Sequence, residues 1–132
     1  MSTTRYNLPC QTKGGTASGA ALAAGKCVKI TGAGGSPNPL IVIAAAASDL
    51  VYGITLGAIA QDAVGAVSVP GTIMEMTAGA GGWTAGNFLS SDASGNLIAV
   101  AANTVGVAQA LETVSAAGTG MVLTLSPFWY EG

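Results

Sequence analysis

The sequence predicts an all-β fold, either a small β-barrel or a β-sandwich. Short runs of β-branched and aliphatic residues follow one another along the chain, and Gly, Pro, Asn or Asp residues separate them, as turns separate short strands. Alanine-rich stretches favour a helix, but Gly57, Gly65 and Pro70 interrupt the longest of them. We therefore expect nine strands and, near residues 58–62, no more than one helical turn.

The expected strands follow an N-terminal segment of different character. Residues 1–22 are polar and rich in Gly, Ser and Thr, without the period of a strand or of a helix, so we expect an extended arm. Residues 23–132 would form the single β domain that a chain of this length supports. The strands are expected at residues 27–31, 40–44, 51–56, 64–69, 72–76, 88–90, 97–100, 105–110 and 121–125.

The clearest local signal is a hairpin over residues 88–98. The carboxylate of Asp92 can accept hydrogen bonds from backbone amides of the turn, and Gly95 and Asn96 tolerate positive φ before the returning strand. This stretch therefore predicts two antiparallel strands joined by a short turn.

The two halves of the chain resemble each other weakly. The number of residues between a segment and its match is larger for the first match than for the later ones. The first copy therefore contains extra residues, in a longer loop around residues 32–39. An internal duplication would place Gly25 and Gly53 at the positions of Gly86 and Gly106. In order, residues 24–28 match 85–89, 38–42 match 96–100, 51–54 match 104–107, and 65–69 match 120–124.

Charge and histidine content limit the function classes. Four basic and six acidic residues make 8% of the chain, against about 25% in an average domain, and the net charge is −2. Four basic residues cannot neutralise many phosphates or attract an anionic membrane. We therefore expect neither a nucleic-acid nor a membrane partner. Histidine is absent and the carboxylates are scattered, so we expect no catalytic residue, metal site or cofactor, and no enzyme.

The two cysteines, Cys10 and Cys27, do not form a C-x-x-C motif. Their spacing supports neither a zinc site nor a redox motif. Two reduced thiols of a protein made in the cytoplasm are the favoured interpretation, and a disulfide between them is the alternative.

Three stretches of the second half resemble a known family. Residues 84–98 combine a strand with a D-x-x-G turn, residues 104–110 contain the string VGVA, and residues 118–124 form a Gly-led closing strand. In this order the motifs resemble the head-decoration, or capsid cement, proteins of tailed bacteriophages. The resemblance extends over about residues 22–126.

That resemblance implies a small β-rich structural protein that trimerises on the outer surface of a phage capsid and stabilises the shell. Its partners would be the major capsid protein and further copies of itself, and its location the virion, after synthesis in the host cytoplasm. Two alternatives stay open. One is another virion β-domain, from a tail tube or a head fibre, and the other is a β-sandwich module that binds a carbohydrate or a surface.

Two groups of residues are the expected contact sites. The arm carries half of the basic charge, and a proline helps to keep it extended, so that it can follow a shell surface. Adjacent aromatic residues in a C-terminal strand would point to opposite faces of the sheet, and one of these faces would contact a neighbouring subunit. The alternative is that these aromatic residues pack in the domain's own core. The same alternative applies to Trp83. The capsid-binding residues would be Arg5, Tyr6, Leu8, Pro9 and Lys13, and the subunit or capsid interface Trp83, Phe128, Trp129 and Tyr130.

Overall fold

Ten β-strands make up the computed structural model, which describes residues 12–35 and 37–131. The described residues contain no helix, so residues 58–62 do not form the one helical turn that the sequence allowed, and none of their elements is a helix able to cross a membrane. Ile59 instead forms a β-bridge with Leu22. The strands are β1 (Thr12–Ala17), β2 (Cys27–Gly32), β3 (Leu40–Ile43), β4 (Gly53–Ile54), β5 (Val64–Ser68), β6 (Ile73–Thr77), β7 (Phe88–Ser91), β8 (Leu97–Ala99), β9 (Thr104–Ala110) and β10 (Thr119–Tyr130).

The strands form two five-stranded sheets. Sheet 1 has the order β4-β2-β3-β1-β5, and sheet 2 has the order β6-β10-β9-β7-β8. The pairing of β1 with β3 is parallel, and the other strand pairs are antiparallel. The edge strands of sheet 1 meet at a bridge between Thr55 and Val67, but neither sheet closes into a barrel. The all-β prediction is therefore confirmed in its sandwich-like form.

All nine expected strands are present, with ends that differ by a few positions. The strand expected at residues 51–56 is regular only at Gly53–Ile54. The strand expected at residues 121–125 is longer, because an irregularity around Pro127 lets β10 continue along β9. A bulge is where a sheet accepts proline, since the ladder is interrupted there.

The hairpin between β7 and β8 confirms the turn prediction. Asp92 Oδ1 accepts hydrogen bonds from the backbone amides of Ser94 at 2.8 Å and Asn96 at 2.9 Å. Gly95 has a φ of 77°, whereas Asn96 does not adopt positive φ. The left-handed residue that this turn needs is therefore the glycine.

Strand β1 lies inside the segment that the sequence pattern predicts as an arm. It pairs with β3 on one side and with β5 on the other, so residues 12–17 belong to the interior of sheet 1 and the arm prediction is wrong for them. Gly14 and Gly15 hide this strand from pattern analysis because they have no side chain to alternate. The side chain of Ile41 occupies the place into which a Cβ on Gly15 would project. Residues 1–11 lie outside the described residues, and Arg5, Tyr6, Leu8, Pro9 and Cys10 are among them.

The same five-strand motif occurs twice. We call residues 12–68, with β1 to β5, repeat 1, and residues 73–130, with β6 to β10, repeat 2. The order β4-β2-β3 in sheet 1 corresponds to β9-β7-β8 in sheet 2. When Thr12 is matched to Ile73 and Ser68 to Leu123, all five paired positions of β1 and β5 coincide with those of β6 and β10.

The glycines of the predicted duplication have different outcomes. Gly25 and Gly86 are equivalent, with φ values of 71° and 90°, and each donates its N–H to a carbonyl 2.8 Å away, of Thr55 and Ala110 respectively. Thr55 and Ala110 are themselves equivalent. Thr55 follows the residue that pairs with Cys27 at the start of β2, and Ala110 follows the residue that pairs with Phe88 at the start of β7. The geometry as well as the glycine is therefore repeated.

The predicted equivalence of Gly53 and Gly106 is wrong. Gly53 pairs with Val28 in sheet 1. In sheet 2, Leu89 occupies the place of Val28 and pairs with Ala108. The register therefore makes Ala108, rather than Gly106, the equivalent of Gly53.

Each repeat has a core at equivalent positions. Six buried residues cluster in repeat 1, none more than 5% exposed, and their six equivalents in repeat 2 are at most 8% exposed. The core positions of one repeat therefore predict those of the other. The pairs are Ala17 and Ala78, Leu22 and Trp83, Val28 and Leu89, Ile41 and Leu97, Ile59 and Val114, and Val67 and Val122.

Gly65 and Gly120 provide a test of this equivalence. A Cβ on Gly65 would overlap the side chain of Ile59, and one on Gly120 would overlap that of Val114. We expect Gly65→Ala and Gly120→Ala each to lower the free energy of unfolding by about 1–3 kcal/mol through overpacking. The control is Gly57→Ala, whose added carbon meets nothing within 4 Å. Urea denaturation checks this, and equal losses in all three variants would contradict it.

Candidate interaction surfaces

The two repeats pack against each other, and the face that repeat 1 uses is not equivalent to the face that repeat 2 uses. We call the covered face of repeat 1 its tail face, and the face of repeat 2 that covers it the head face. Buried residues of both faces belong to one apolar cluster, so this contact holds the halves together. The tail face of repeat 1 consists of Gly25, Lys26, Cys27, Ile43 and Ala44, and the head face of repeat 2 consists of Met74, Ser91, Gly95, Val105 and Val107.

Hydrogen bonds fix the register of this contact. The backbone N–H of Cys27 donates to the carbonyl of Gly95 at 2.8 Å, and that of Val105 donates to the carbonyl of Ala47 at 2.7 Å. The hydroxyl of Ser91 donates to the carbonyl of Ala44. Backbone groups buried between the repeats therefore have partners, as burial requires.

Cys27 lies at the centre of this contact and is fully buried. Burial raises the pKa of its thiol from the ordinary 9.0 to about 12; a hydrogen bond with Ser91 lowers that pKa, Asp92 raises it and Lys26 lowers it. The thiol therefore stays protonated at neutral pH and is a poor nucleophile. Its role is to fill space between the repeats.

We expect Cys27 in a Cys10→Ser variant to resist a thiol reagent at pH 8 while the chain is folded and to react fully after denaturation. Because the folded-state pKa is raised, the thiol's contribution to stability is complete below pH 9 and is lost as the pH rises from 9 toward 12. The difference in unfolding free energy between this variant and the same variant with Cys27→Ala should therefore shrink over that range. Rapid labelling of the folded chain would contradict the buried position.

An apolar groove of about 430 Å³ lies on repeat 1, beside Pro127 of β10. Ile30 and Leu50 are 53% and 73% exposed there. The Nζ of Lys13 lies 4.0 Å from the centroid of the Tyr52 ring, whose hydroxyl donates to the carbonyl of Gly14 at 2.8 Å. Large exposed aliphatic side chains beside a fixed aromatic ring are typical of a contact surface. The lining residues are Lys13, Lys29, Ile30, Leu50, Val51, Tyr52 and Pro127.

The rim of this groove carries an ion pair. Lys29 Nζ lies 3.0 Å from Asp49 Oδ2, and the same carboxylate oxygen accepts the backbone N–H of Ala46 at 3.2 Å. The pair is half-buried and still in contact with water, so it contributes little to stability. It does fix the chain beside Leu50, which places that side chain at the mouth of the groove.

A second surface, which we call the aromatic end, lies on repeat 2 around three aromatic residues. The ring of Phe128 covers Gly106, with which it pairs across β10 and β9. Phe88 meets Phe128 edge to face, with ring centroids 5.2 Å apart and an interplanar angle of 78°. A cleft of about 220 Å³ separates Phe88 from Tyr130. Its lining residues are Gly86, Asn87, Phe88, Ala99, Val100 and Tyr130.

The expected interface residues therefore lie in different environments. Trp83 is 4% exposed, and its Nε1–H donates to the carbonyl of Glu112 at 3.0 Å. It fills the core of repeat 2, as the alternative interpretation had it, and presents almost no surface to a partner. Phe128 and Tyr130 are half-buried at the aromatic end, and Trp129 is 55% exposed. Lys13 belongs to strand β1 and the groove, not to an arm.

Pattern analysis missed Ile30, Leu50 and Tyr52 as surface residues. Each lies in or beside an expected strand, where an aliphatic or aromatic residue is normally assigned to the core. The duplication gave no signal for them, because the strand registers make Ile30 the equivalent of Ser91 and Leu50 the equivalent of Val105, and both of those residues are buried.

Phe128 and Trp129 allow a matched test of the aromatic surface. Phe128→Ala uncovers Gly106 and removes the contact with Phe88, so we expect a loss of about 2 kcal/mol in unfolding free energy, below the roughly 3–5 kcal/mol of a fully buried ring. Trp129→Ala should cost less than half as much because most of that side chain is exposed. Thermal unfolding with denaturant titration measures both, and a larger loss for Trp129→Ala would contradict the assignment.

Comparison with known proteins relates the fold to that of a solved structure. No protein-family model and no curated protein matches the sequence. Among solved structures, the head fiber gp8.5 N base of bacteriophage phi29 is similar to this chain, with a TM-score of 0.66 and 15% identity over 87% of this chain and 92% of that chain. The two proteins share a fold. The resemblance to head-decoration proteins is not supported at the level of a family match.

Proposed function

We propose that the protein is a structural component of a phage virion that binds the outer surface of the capsid as a decoration protein and stabilises the shell. The observation that carries the proposal is the fold shared with a phage head protein. The motif resemblance over residues 84–98, 104–110 and 118–124 supports it from the sequence. Both lines of support concern proteins of the phage head.

The proposed action needs binding and no reaction. Each copy would bury apolar surface against the major capsid protein and against other copies in a homotrimer, and many copies together would raise the stability of the shell. An apolar groove and a surface with aromatic rings, the aromatic end, are available for such contacts. In this proposal the protein is not an enzyme, uses no cofactor, and binds neither nucleic acid nor membrane.

A head-fibre base is the second candidate, and the similar solved structure favours it, since that protein is a head fiber N base. The two candidates differ in location. A decoration protein would occupy the capsid surface at lattice positions between capsomers, whereas a fibre base would occupy fibre attachment points. Cryo-EM of particles with and without the protein separates them, and a map with no added density on the head would reject both.

The arm residues are a separate part of the proposal. Arg5, Tyr6, Leu8 and Pro9 would contact the capsid, and a deletion that tests them must end before Thr12, where β1 begins. Removing residues 2–11 should lower capsid occupancy at limiting protein by at least about tenfold, or about 1.4 kcal/mol. Occupancy is measured by co-sedimentation with particles that lack the protein. Undiminished binding would transfer the capsid contact to the β domain.

A further inference from the structure

We propose that a second copy of this chain docks head to tail on the first, with the groove of one copy against the aromatic end of the next. This contact would repeat between chains the packing that joins repeat 2 to repeat 1 within a chain. The inference deepens the self-association included in the proposed function, but it rests on the repeats themselves and needs no capsid.

The groove is the uncovered head face of repeat 1. The residues of the head face of repeat 2 have equivalents in repeat 1, and the strand registers identify them. In repeat 2 these positions contact the other half of the chain, whereas in repeat 1 two of them, Ile30 and Leu50, are 53% and 73% exposed. Met74, Ser91, Val105 and Val107 correspond to Lys13, Ile30, Leu50 and Tyr52, and all four of the latter line the groove.

The aromatic end is the uncovered tail face of repeat 2. The hydrogen bond from the N–H of Ala44 to the carbonyl of Cys27 recurs as that from Val100 to Phe88, which fixes the correspondence. The registers of β2 with β3 and of β7 with β8 then carry the tail face of repeat 1 onto the aromatic cleft. Gly25, Lys26, Cys27, Ile43 and Ala44 correspond to Gly86, Asn87, Phe88, Ala99 and Val100, and all five of the latter line the cleft.

Exposure follows the same division. Cys27 is 0% exposed because repeat 2 covers it, whereas its equivalent, Phe88, is 40% exposed. Gly106 corresponds to Val51 and has no side chain, and the ring of Phe128 occupies the space above it. The tail face of repeat 2 therefore carries aromatic rings, and the polar side chain of Asn87 lines the cleft beside them.

The head face of repeat 1, at the groove, and the tail face of repeat 2, at the aromatic end, are not covered by the other repeat. Inside the chain, a head face and a tail face fit each other. Such a contact is heterologous: each copy uses its groove for one neighbour and its aromatic end for another. A heterologous contact with suitable rotation closes into a ring, which is the arrangement that a homotrimer requires.

The test uses the purified full chain without capsid and three single variants. Leu50→Asp places a charge in the groove, Phe88→Asp places one at the aromatic end, and Leu111→Asp is the control, because Leu111 is 45% exposed and lines neither surface. Analytical ultracentrifugation gives the association state, and circular dichroism shows that each variant is folded. A variant that fails to fold is replaced by Ile30→Asp for the groove or Tyr130→Asp for the aromatic end.

We expect the wild type and Leu111→Asp to self-associate and both surface variants to be monomeric, with the association weakened at least tenfold. An equimolar mixture of the two surface variants should form a dimer, because one intact groove and one intact aromatic end remain. A monomeric wild type would overturn the inference, as would a mixture that stays monomeric or a loss confined to one surface. Each result is obtained without particles, so it is separate from the outcome of the capsid experiments.

Discussion

The packing of repeat 2 on repeat 1 is the contact on which the rest of the structure depends. Each repeat contributes a core of six side chains at equivalent positions, which is little apolar surface for an independent domain. Joining the halves adds Cys27, Val51, Ile54, Val105 and Val107 to the core of repeat 2 and makes one larger cluster. The chain is therefore stable as a pair of repeats rather than as two domains, as in repeat proteins generally.

This arrangement explains the composition. A repeat that buries both its own core and one face against the other repeat has little room for charge, and only 8% of the residues are charged. Close approach also selects small residues: Gly65 and Gly120 lie beneath β-branched side chains at equivalent places, and Gly15 lies beneath Ile41. The high glycine content thus reflects packing as well as turns.

Much of the fold could be predicted from the sequence because turn residues separate its strands. Strand β1 could not, since its two glycines erase the alternation that marks a strand. The duplication was visible at Gly25 and Gly86, but similar strings matched Gly53 to Gly106 instead of to Ala108. The interaction surfaces were harder still, because exposure depends on which repeat covers the other. Ile30 and Val105 look alike in sequence, yet one is 53% exposed and the other 7%.

Equal registers in the two repeats also create a hazard during folding. Strand β1 could pair with β10, and β6 with β5, because the paired positions are interchangeable along the backbone. The side chains oppose such an exchange: Met76 stands where repeat 1 has Gly15, and a side chain at that place would collide with Ile41. The sequence differences between the two repeats therefore favour the correct partner for each strand. They also disfavour domain swapping, in which two chains would exchange equivalent strands during folding.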